Sequence, residues 1–272
     1  MKARPLFSIV TVCYQSAGSI ERTLRSVLAQ QWTDYEYLII DGASTDTTVD
    51  IIRRLAPEFE GRMRWWSEPD KGIYDAFNKG IKQSRGSYIW LVNSDDYLES
   101  DALTVLAPVA AAHCGERTII EGVARLEQPD GSYRLSPLST DATRHAFYRR
   151  RLLGITHPAS VFSREVYASV GLYDDRYFIL GDKDLFVRCM EQGVGFVTLP
   201  RPLTTMSYGG ISTRLHHRKW LADQWLASRK FGRGRLGAML LFGRIFAMYL
   251  GRRARGLCAK LGLTGRRRRS RT

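Results

Sequence analysis

The sequence predicts an α/β protein built on a mostly parallel sheet with helices on both faces, followed by a basic helical tail. Three observations predict it. In the first hundred residues apolar, β-branched segments alternate with segments whose apolar residues recur at helical spacing, the pattern of successive βαβ units. A polar cluster follows each of the first four strand-like segments, at the strand ends where open α/β sheets bind their ligands. Charge is segregated: the formal net charge is +14, and fourteen basic residues lie beyond Asp223, the last acidic residue. The body is therefore neutral and the tail carries the whole excess.

The elements follow in order. Leu6–Cys13 is a buried strand, and Ser16–Gln31 a helix with Ile20, Leu24, Val27 and Leu28 at helical spacing. Tyr35–Ile40 is the second strand, and Thr45–Leu55 a helix with Val49, Ile52 and Leu55 on one side. Met63–Trp66, a helix over Ile73–Gln83 and the strand Tyr88–Val92 come next, and a further helix starts near Ser100. Thr118–Leu126, the turn Pro129-Asp130-Gly131 and Ser132–Leu135 read as a hairpin. A helix starts near Asp182, and Gly195–Leu199 is a last strand, stopped by Pro200 and Pro202. The compact body, residues 1–212, ends near Ser212, and residues 213–272 form the tail.

Composition excludes several classes. With 44% hydrophobic and 25% charged residues among 272, neither wholesale disorder nor a fibrous repeat is expected. Four widely spaced cysteines without a CxxC pair suit reduced thiols rather than a disulfide framework. Leu6–Cys13 is too short and too interrupted by Ser8 and Thr11 for a signal peptide. No GxSxG, P-loop or post-strand GxGxxG is present. Cys13, inside a strand, reads as core rather than nucleophile.

The clusters carry the chemistry. They are Tyr14-Gln15-Ser16, Asp41 to Asp46, Ser67 to Asp70, and Asn93-Ser94-Asp95-Asp96. Each has a plain alternative, since Asp, Ser and Gly also cap helices and make turns. Four on one rim point to a site. Asp95 and Asp96 either cap the next helix or hold a cation. Two adjacent carboxylates at an apolar strand end are costly without one, and oxygen ligands lacking Cys or His suit Mg²⁺ or Mn²⁺ bridging to substrate phosphates.

Phe7–Gln15, Asp41–Thr48, the run Ser67-Glu68-Pro69-Asp70-Lys71-Gly72-Ile73-Tyr74-Asp75-Ala76-Phe77-Asn78-Lys79-Gly80 and Asn93–Asp96 together resemble the family 2 inverting glycosyltransferases, in the branch that builds bacterial exopolysaccharide, capsule and lipopolysaccharide. The resemblance covers Leu6 to Ser212 and implies the Rossmann-like GT-A sheet. It also implies transfer of a sugar from a nucleotide-sugar donor to a glycan or polyprenyl-linked acceptor, with Mg²⁺ or Mn²⁺. Carried over by position, Asp96 would hold the metal on the diphosphate and Asp95 would contact the ribose or metal-bound water. Val12, at the end of the matching first strand, would contact the nucleotide sugar, Tyr14 would stack near the base, and Asp41 would hold the base or ribose. Asp70 and Lys71 would contact base or phosphates, and Asn78 would brace their loop.

The chemistry also needs a carboxylate to take the acceptor proton. Gly171 to Asp175 followed by Gly181-Asp182-Lys183-Asp184-Leu185 resembles the segment that supplies it, with Asp182 as the base and Asp184 the runner-up. A helix-capping role for Asp182 is the alternative. His157, Gly209 and Gly210 resemble residues on the acceptor side, with a purely structural histidine as the alternative at 157. His216 and His217 lack metal-ligand spacing, although one of them could complete the metal shell.

In the tail, Leu236–Leu250 is apolar apart from Arg244. It falls short of the roughly 20 residues that span a bilayer, and a cationic run follows it. That combination suits an anionic membrane surface, and so a cytoplasmic enzyme peripherally bound to the inner face of the membrane. The alternative is a helix packed on the body or on a second subunit. Nucleic acid is the rival partner, disfavoured because no aromatics interleave with the arginines after Tyr249.

Overall fold

The computed structural model describes residues 4–144, 156–209, 217–231, 236–240, 242–243 and 246–247. The chain divides into two compact units, Met1–Leu215 and His216–Thr272.

The first unit opens as the sequence predicts. β1 (Phe7–Cys13), β2 (Tyr35–Asp41), β3 (Met63–Ser67) and β4 (Tyr88–Asn93) alternate with α1 (Ile20–Leu28), α2 (Thr48–Leu55) and α3 (Ile73–Gln83). These four strands pair in parallel in the order β3-β2-β1-β4. β1 and β2 are buried along their whole length, as strands covered on both faces must be. Side chains alternate between the faces. Ile9, Tyr37, Ile39 and Trp90 share one core with Ile20 and Leu24 of α1 and Ile52 of α2. α4 (Ala102–Ala112) joins that core through Leu103 and Leu106.

α3 covers the opposite face and sits very close to it. A β-carbon at position 80 would lie 2.3 Å from Val10 Cγ1 and 3.4 Å from Ile40 Cγ1. Gly80 is thus required by packing. Gly80→Ala is expected to cost about 1–3 kcal/mol, the usual penalty of overpacking, measured as a lowered midpoint in urea unfolding.

Beyond β4 the sheet is mixed. It continues through β8 (Ser160–Ser163), β6 (Thr118–Glu127), β9 (Gly195–Met206) and the short β5 (Tyr97–Leu98), with β7 (Tyr133–Leu135) paired to β6. β8 is antiparallel to both β4 and β6, while β6 and β9 are parallel. α5 (Arg164–Val170) and α6 (Gly181–Glu191) complete the unit. The strand expected to stop at Leu199 instead runs through both prolines to Met206. The register explains this: Thr198 opposes Glu121 and Pro202 opposes Val123, a bulge that removes the ladder positions proline cannot fill.

Cys13, Cys114 and Cys189 are free thiols; Cys258 lies outside the described residues. In the second unit α7 (His217–Phe231) presents Trp225 edge-on to Phe242, with ring centroids 5.4 Å apart. Among the described residues no helix is long and apolar enough to cross a membrane.

Candidate active site

Parallel register brings four strand ends level on one rim. Cys13 lies opposite Asp41, Asp41 opposite Ser67, and Val12 between Ile40 and Asn93. Val12 is buried with its neighbours in β1.

Asp41 ties three of these ends together. It is fully buried. Its Oδ2 accepts the Ser44 N–H at 2.9 Å and the Ser67 hydroxyl at 2.6 Å. Its Oδ1 accepts the Ser44 hydroxyl at 2.5 Å and the Cys13 thiol at 3.5 Å. Burial first, and then the Asp41 charge, push the Cys13 thiol far above its ordinary range, so it is no nucleophile. In this structure Asp41 acts on the rim through the loops it holds. The same loops carry backbone strain: Gln15 and Ala43 sit at φ +51° and +60°, a conformation costing a non-glycine residue about 1–2 kcal/mol. Gln15 holds the arrangement, its Oε1 accepting the Thr45 and Asp46 N–H groups at 3.2 and 3.1 Å.

Tyr14 and Asp70 converge above Gly42. A β-carbon at position 42 would lie 2.5 Å from Asp70 Oδ2 and 3.4 Å from Tyr14 Cδ2. Tyr14 is 63% exposed, which leaves a ring face open for stacking. Asp70 accepts the Gly72 N–H at 2.9 Å, and burial raises its pKa. Lys71 has an exposed side chain and donates its backbone N–H to Asp75 at 3.0 Å.

The turn after β4 holds the paired acids. The Ser16 and Ser94 hydroxyls meet at 2.8 Å, and the Thr23 hydroxyl reaches the carbonyls of Ser94 and Asp96 at 3.0 and 2.6 Å. Asp96 is 3% exposed; its Oδ2 accepts the Asn93 amide at 3.1 Å and its Oδ1 the Ser207 N–H at 3.2 Å. Burial, then the charge of Asp95, push Asp96 up to about 7, and burial raises Asp95 as well. α4 begins at Ala102 behind Asp101, so neither acid caps it.

These residues fit a divalent cation. Asn93 Oδ1 is buried beside the two acids with no hydrogen-bond partner, and the donor set is all oxygen. Among the described residues no three His, Cys, Asp or Glu side chains cluster as a metal cage. One or two carboxylates completed by substrate phosphates is the ordinary arrangement for Mg²⁺.

Across the rim, α3 grips the segment before α6. Asn78 donates its amide to the Tyr173 carbonyl at 2.9 Å and accepts the Tyr173 N–H at 3.0 Å. That is a correction to its expected place: both ends of the amide face a backbone 95 residues away rather than the Asp70–Lys71 loop or a ligand. Asp182, in the first turn of α6, is half-buried. Its Oδ1 accepts the Lys183 N–H at 2.7 Å, and the ring of Tyr74 from α3 packs against the neighbouring Gly181. Burial nonetheless raises Asp182 to about 6. Asp184 is 1% exposed and ion-paired with Arg188 at 2.8 Å. Arg188 in turn donates to the carbonyls of Val170 and Leu172 at 2.7 Å, so this acid anchors a loop.

His157 is also corrected. Its Nε2 pairs with the Tyr173 hydroxyl at 2.6 Å, and Phe77, Phe162 and Phe186 surround the ring. Burial lowers its pKa to about 4. The structure supports the structural alternative, a buried histidine held by Tyr173 among aromatic rings. Gly209 follows β9 at φ +102°, two residues after the Ser207 N–H that bonds Asp96. Gly210 and His216 lie outside the described residues, as does the His217 side chain. Sequence reasoning missed Asn93 and Ser207 as partners of Asp96, and only Asn93, inside the cluster at the end of β4, carried any signal.

The sequence and the fold have counterparts. A glycosyltransferase of Mycobacterium bovis named for PGL/p-HBAD biosynthesis is 29% identical over 231 residues, 84% of this chain and 87% of that one. Chondroitin synthase of Pasteurella multocida is 29% identical over 193 residues, 70% of this chain but 19% of its own length. Among solved structures, S. aureus TarS 1–349 in complex with UDP-GlcNAc matches with a TM-score of 0.66 at 16% identity, over 82% of this chain and 65% of that one. The mannosyltransferase PcManGT of Pyrobaculum calidifontis, with GDP-Man and Mn2+, gives 0.56 at 17% identity, over 84% and 62%. The model for glycosyl transferase family 2 matches residues 8–171, more than half of the chain, with the strand ends and both paired acids inside the match, and the chain belongs to that family.

Proposed function

We propose that this protein is a metal-dependent, inverting glycosyltransferase that moves a hexose-type sugar from a nucleotide-sugar donor to a glycan or lipid-linked acceptor in cell-surface polysaccharide synthesis. The observation that carries the proposal is the gathering of Asp41, Asn93 and the neighbouring Asp95 and Asp96 at the level ends of parallel strands, with the buried Asn93 Oδ1 beside the paired acids, and a separate, half-buried acid, Asp182, at the start of α6. The first suits a cation and the second a general base. The relative named for PGL/p-HBAD biosynthesis and the neighbours with UDP-GlcNAc or GDP-Man and Mn2+ support the same reading.

Tyr14 stacks on the base, and Asp70 and Lys71 contact the nucleotide beside Gly42. Asp41 keeps this side in place through Ser44 and Ser67. Asp96, with Asp95 and Asn93, would hold the cation, and a bound Mg²⁺ or Mn²⁺ would supply the positive charge that a leaving diphosphate needs. Asp182 takes the proton of the acceptor hydroxyl as its oxygen bonds to the anomeric carbon and the bond to the diphosphate oxygen breaks. One displacement from the opposite face inverts the anomeric centre. The acceptor enters near Tyr208 and Gly209. The test is to incubate the full chain with Mn²⁺, a bacterial lipid extract and, in turn, UDP-glucose, UDP-GlcNAc, GDP-mannose and a dTDP-sugar. Release of one nucleoside diphosphate, with a product of inverted anomeric configuration by proton NMR, is expected. Retention of configuration, or no release from any donor, contradicts the proposal.

The tail supplies the location. Leu236, Met239 and Leu240 recur at i, i+3 and i+4 in a helical segment and are all exposed, and most of the basic excess follows them in sequence. An apolar stripe beside clustered arginines binds an anionic membrane surface, each basic residue contributing about 1 kcal/mol. The full chain is expected to float with phosphatidylglycerol vesicles and not with phosphatidylcholine, and to be released by salt. Equal flotation with both, or with neither, contradicts this part of the reading.

A further inference from the structure

The donor side rests on a loop that the strand ends alone do not hold. Residues 68–72 join β3 to α3 and carry Asp70 and Lys71, and Glu68, Pro69, Lys71 and Gly72 are exposed. At the start of the loop the Glu68 N–H reaches the Asp41 carbonyl at 3.0 Å. At its end Gly72 turns into α3 at φ +135°, and its carbonyl accepts the N–H groups of Asp75 and Ala76 at 3.1 and 3.2 Å. Between these ends the hold comes from α3 and converges on Lys79. Its Nζ donates to the Pro69 carbonyl at 2.7 Å, pairs with Glu68 at 3.0 Å and lies 3.8 Å from Asp75 Oδ2. That same Asp75 oxygen accepts the Lys71 N–H at 3.0 Å. Lys79 thus touches the carbonyl just before Asp70 and the acid that holds the residue just after it.

We propose that Lys79 is the positioning residue of the donor loop: its ammonium fixes the loop in the conformation that presents Asp70 and Lys71 to the nucleotide. This rests on the reading of those two residues as nucleotide contacts. The ammonium is aimed from a fixed element, because the next residue, Gly80, seats α3 directly on Val10 and Ile40. It acts through the loop, since the oxygens of Pro69, Glu68 and Asp75 already engage it. Without it the Pro69 carbonyl loses its donor, and the carboxylates of Glu68 and Asp75 stand uncompensated beside the loop. An exposed loop with so few buried contacts then opens locally. A small displacement matters here: Asp70 Oδ2 lies only 2.5 Å from where a β-carbon at position 42 would stand, with the Tyr14 ring on the same spot. When the competent arrangement is populated for part of the time, apparent affinity falls by that fraction.

Two measurements on the full chain decide it. Lys79→Met keeps the reach and helix preference of the side chain, and the partly exposed ion pairs it loses are worth too little to unfold the protein. The first measurement needs no ligand. Exchange of the Lys71 amide hydrogen, followed by NMR, is expected to quicken about tenfold in Lys79→Met. It is expected to return towards the wild-type rate in Lys79→Arg, whose guanidinium donates to the same oxygens. The second is calorimetry with UDP, GDP and dTDP in the presence of Mn²⁺. The nucleotide that binds the wild type is expected to bind Lys79→Met about tenfold more weakly, again with recovery in Lys79→Arg. A wild-type exchange rate in Lys79→Met overturns the proposal, and a weakened affinity beside it would mean that Lys79 touches the nucleotide itself. Faster exchange with unchanged affinity also overturns it, since the loop then does not govern binding. If none of the three nucleotides binds the wild type, the reading of Asp70 and Lys71 falls. The exchange rates alone then uphold or overturn the hold of Lys79 on the loop.

Discussion

Asp182→Asn is expected to lower kcat by about 10²–10⁴-fold, the usual contribution of a positioned general base, while nucleotide binding stays at the wild-type level. Asn keeps the size and the hydrogen-bonding edge of the side chain but cannot take the acceptor proton. The separation between kcat and nucleotide affinity is the informative part, because Asp182 lies on α6 and the nucleotide-side residues lie at the ends of β1 to β3. Wild-type activity should rise as pH passes about 6, where the raised carboxyl loses its proton. Loss of stability does not mimic this result. The folded-state pKa lies above the unfolded value, so the ionised acid works against folding once pH passes that value, most fully above about 6. The neutral Asn escapes that cost, and Asp182→Asn should be no less stable than wild type at pH 8 by thermal unfolding. Equal kcat in mutant and wild type contradicts the assignment.

Asp96→Ala is expected to remove transfer at every Mn²⁺ concentration, whereas Asp95→Asn should retain activity that needs more metal. The asymmetry follows from the geometry. Asp96 is held by Asn93 and by the Ser207 N–H at the end of β9, so it is aimed by two elements. Asp95 is less buried and is raised by burial without such partners. Metal-activation curves of nucleoside diphosphate release distinguish the two variants. Equal losses in both would mean that the acids share one role. Full activity in Asp96→Ala would remove the metal assignment altogether.

Local patterns carried most of the fold. Ile73–Gln83 is readable residue by residue because its apolar positions keep helical spacing and Ser84 ends it in an extended conformation. β1, β2 and β4 are readable because each is a short run of mainly β-branched, aromatic and aliphatic residues buried on both faces. β8 and β5 are not, since four and two residues are too short to show a period. The run through Pro200 and Pro202 misleads because only the pairing with β6 reveals the bulge that tolerates them. The site divides in the same way. The strand-end acids are legible because a parallel sheet gathers ligand contacts there. Their partners are not: Asn78 meets Tyr173 across 95 residues, and Asp96 meets Ser207 across 111. His157 shows the converse, a polar residue whose surroundings of Phe77, Phe162 and Phe186 come from three separate elements.

The most direct test of the central claim is calorimetric titration of UDP, GDP and dTDP into the full chain, with and without Mn²⁺, beside Asp96→Ala. The expected result is that one nucleotide binds, that it binds only with the metal, and that Asp96→Ala abolishes the binding. Binding that ignores Mn²⁺, or that survives intact in Asp96→Ala, contradicts the account of the rim as a cation-assisted nucleotide-sugar site.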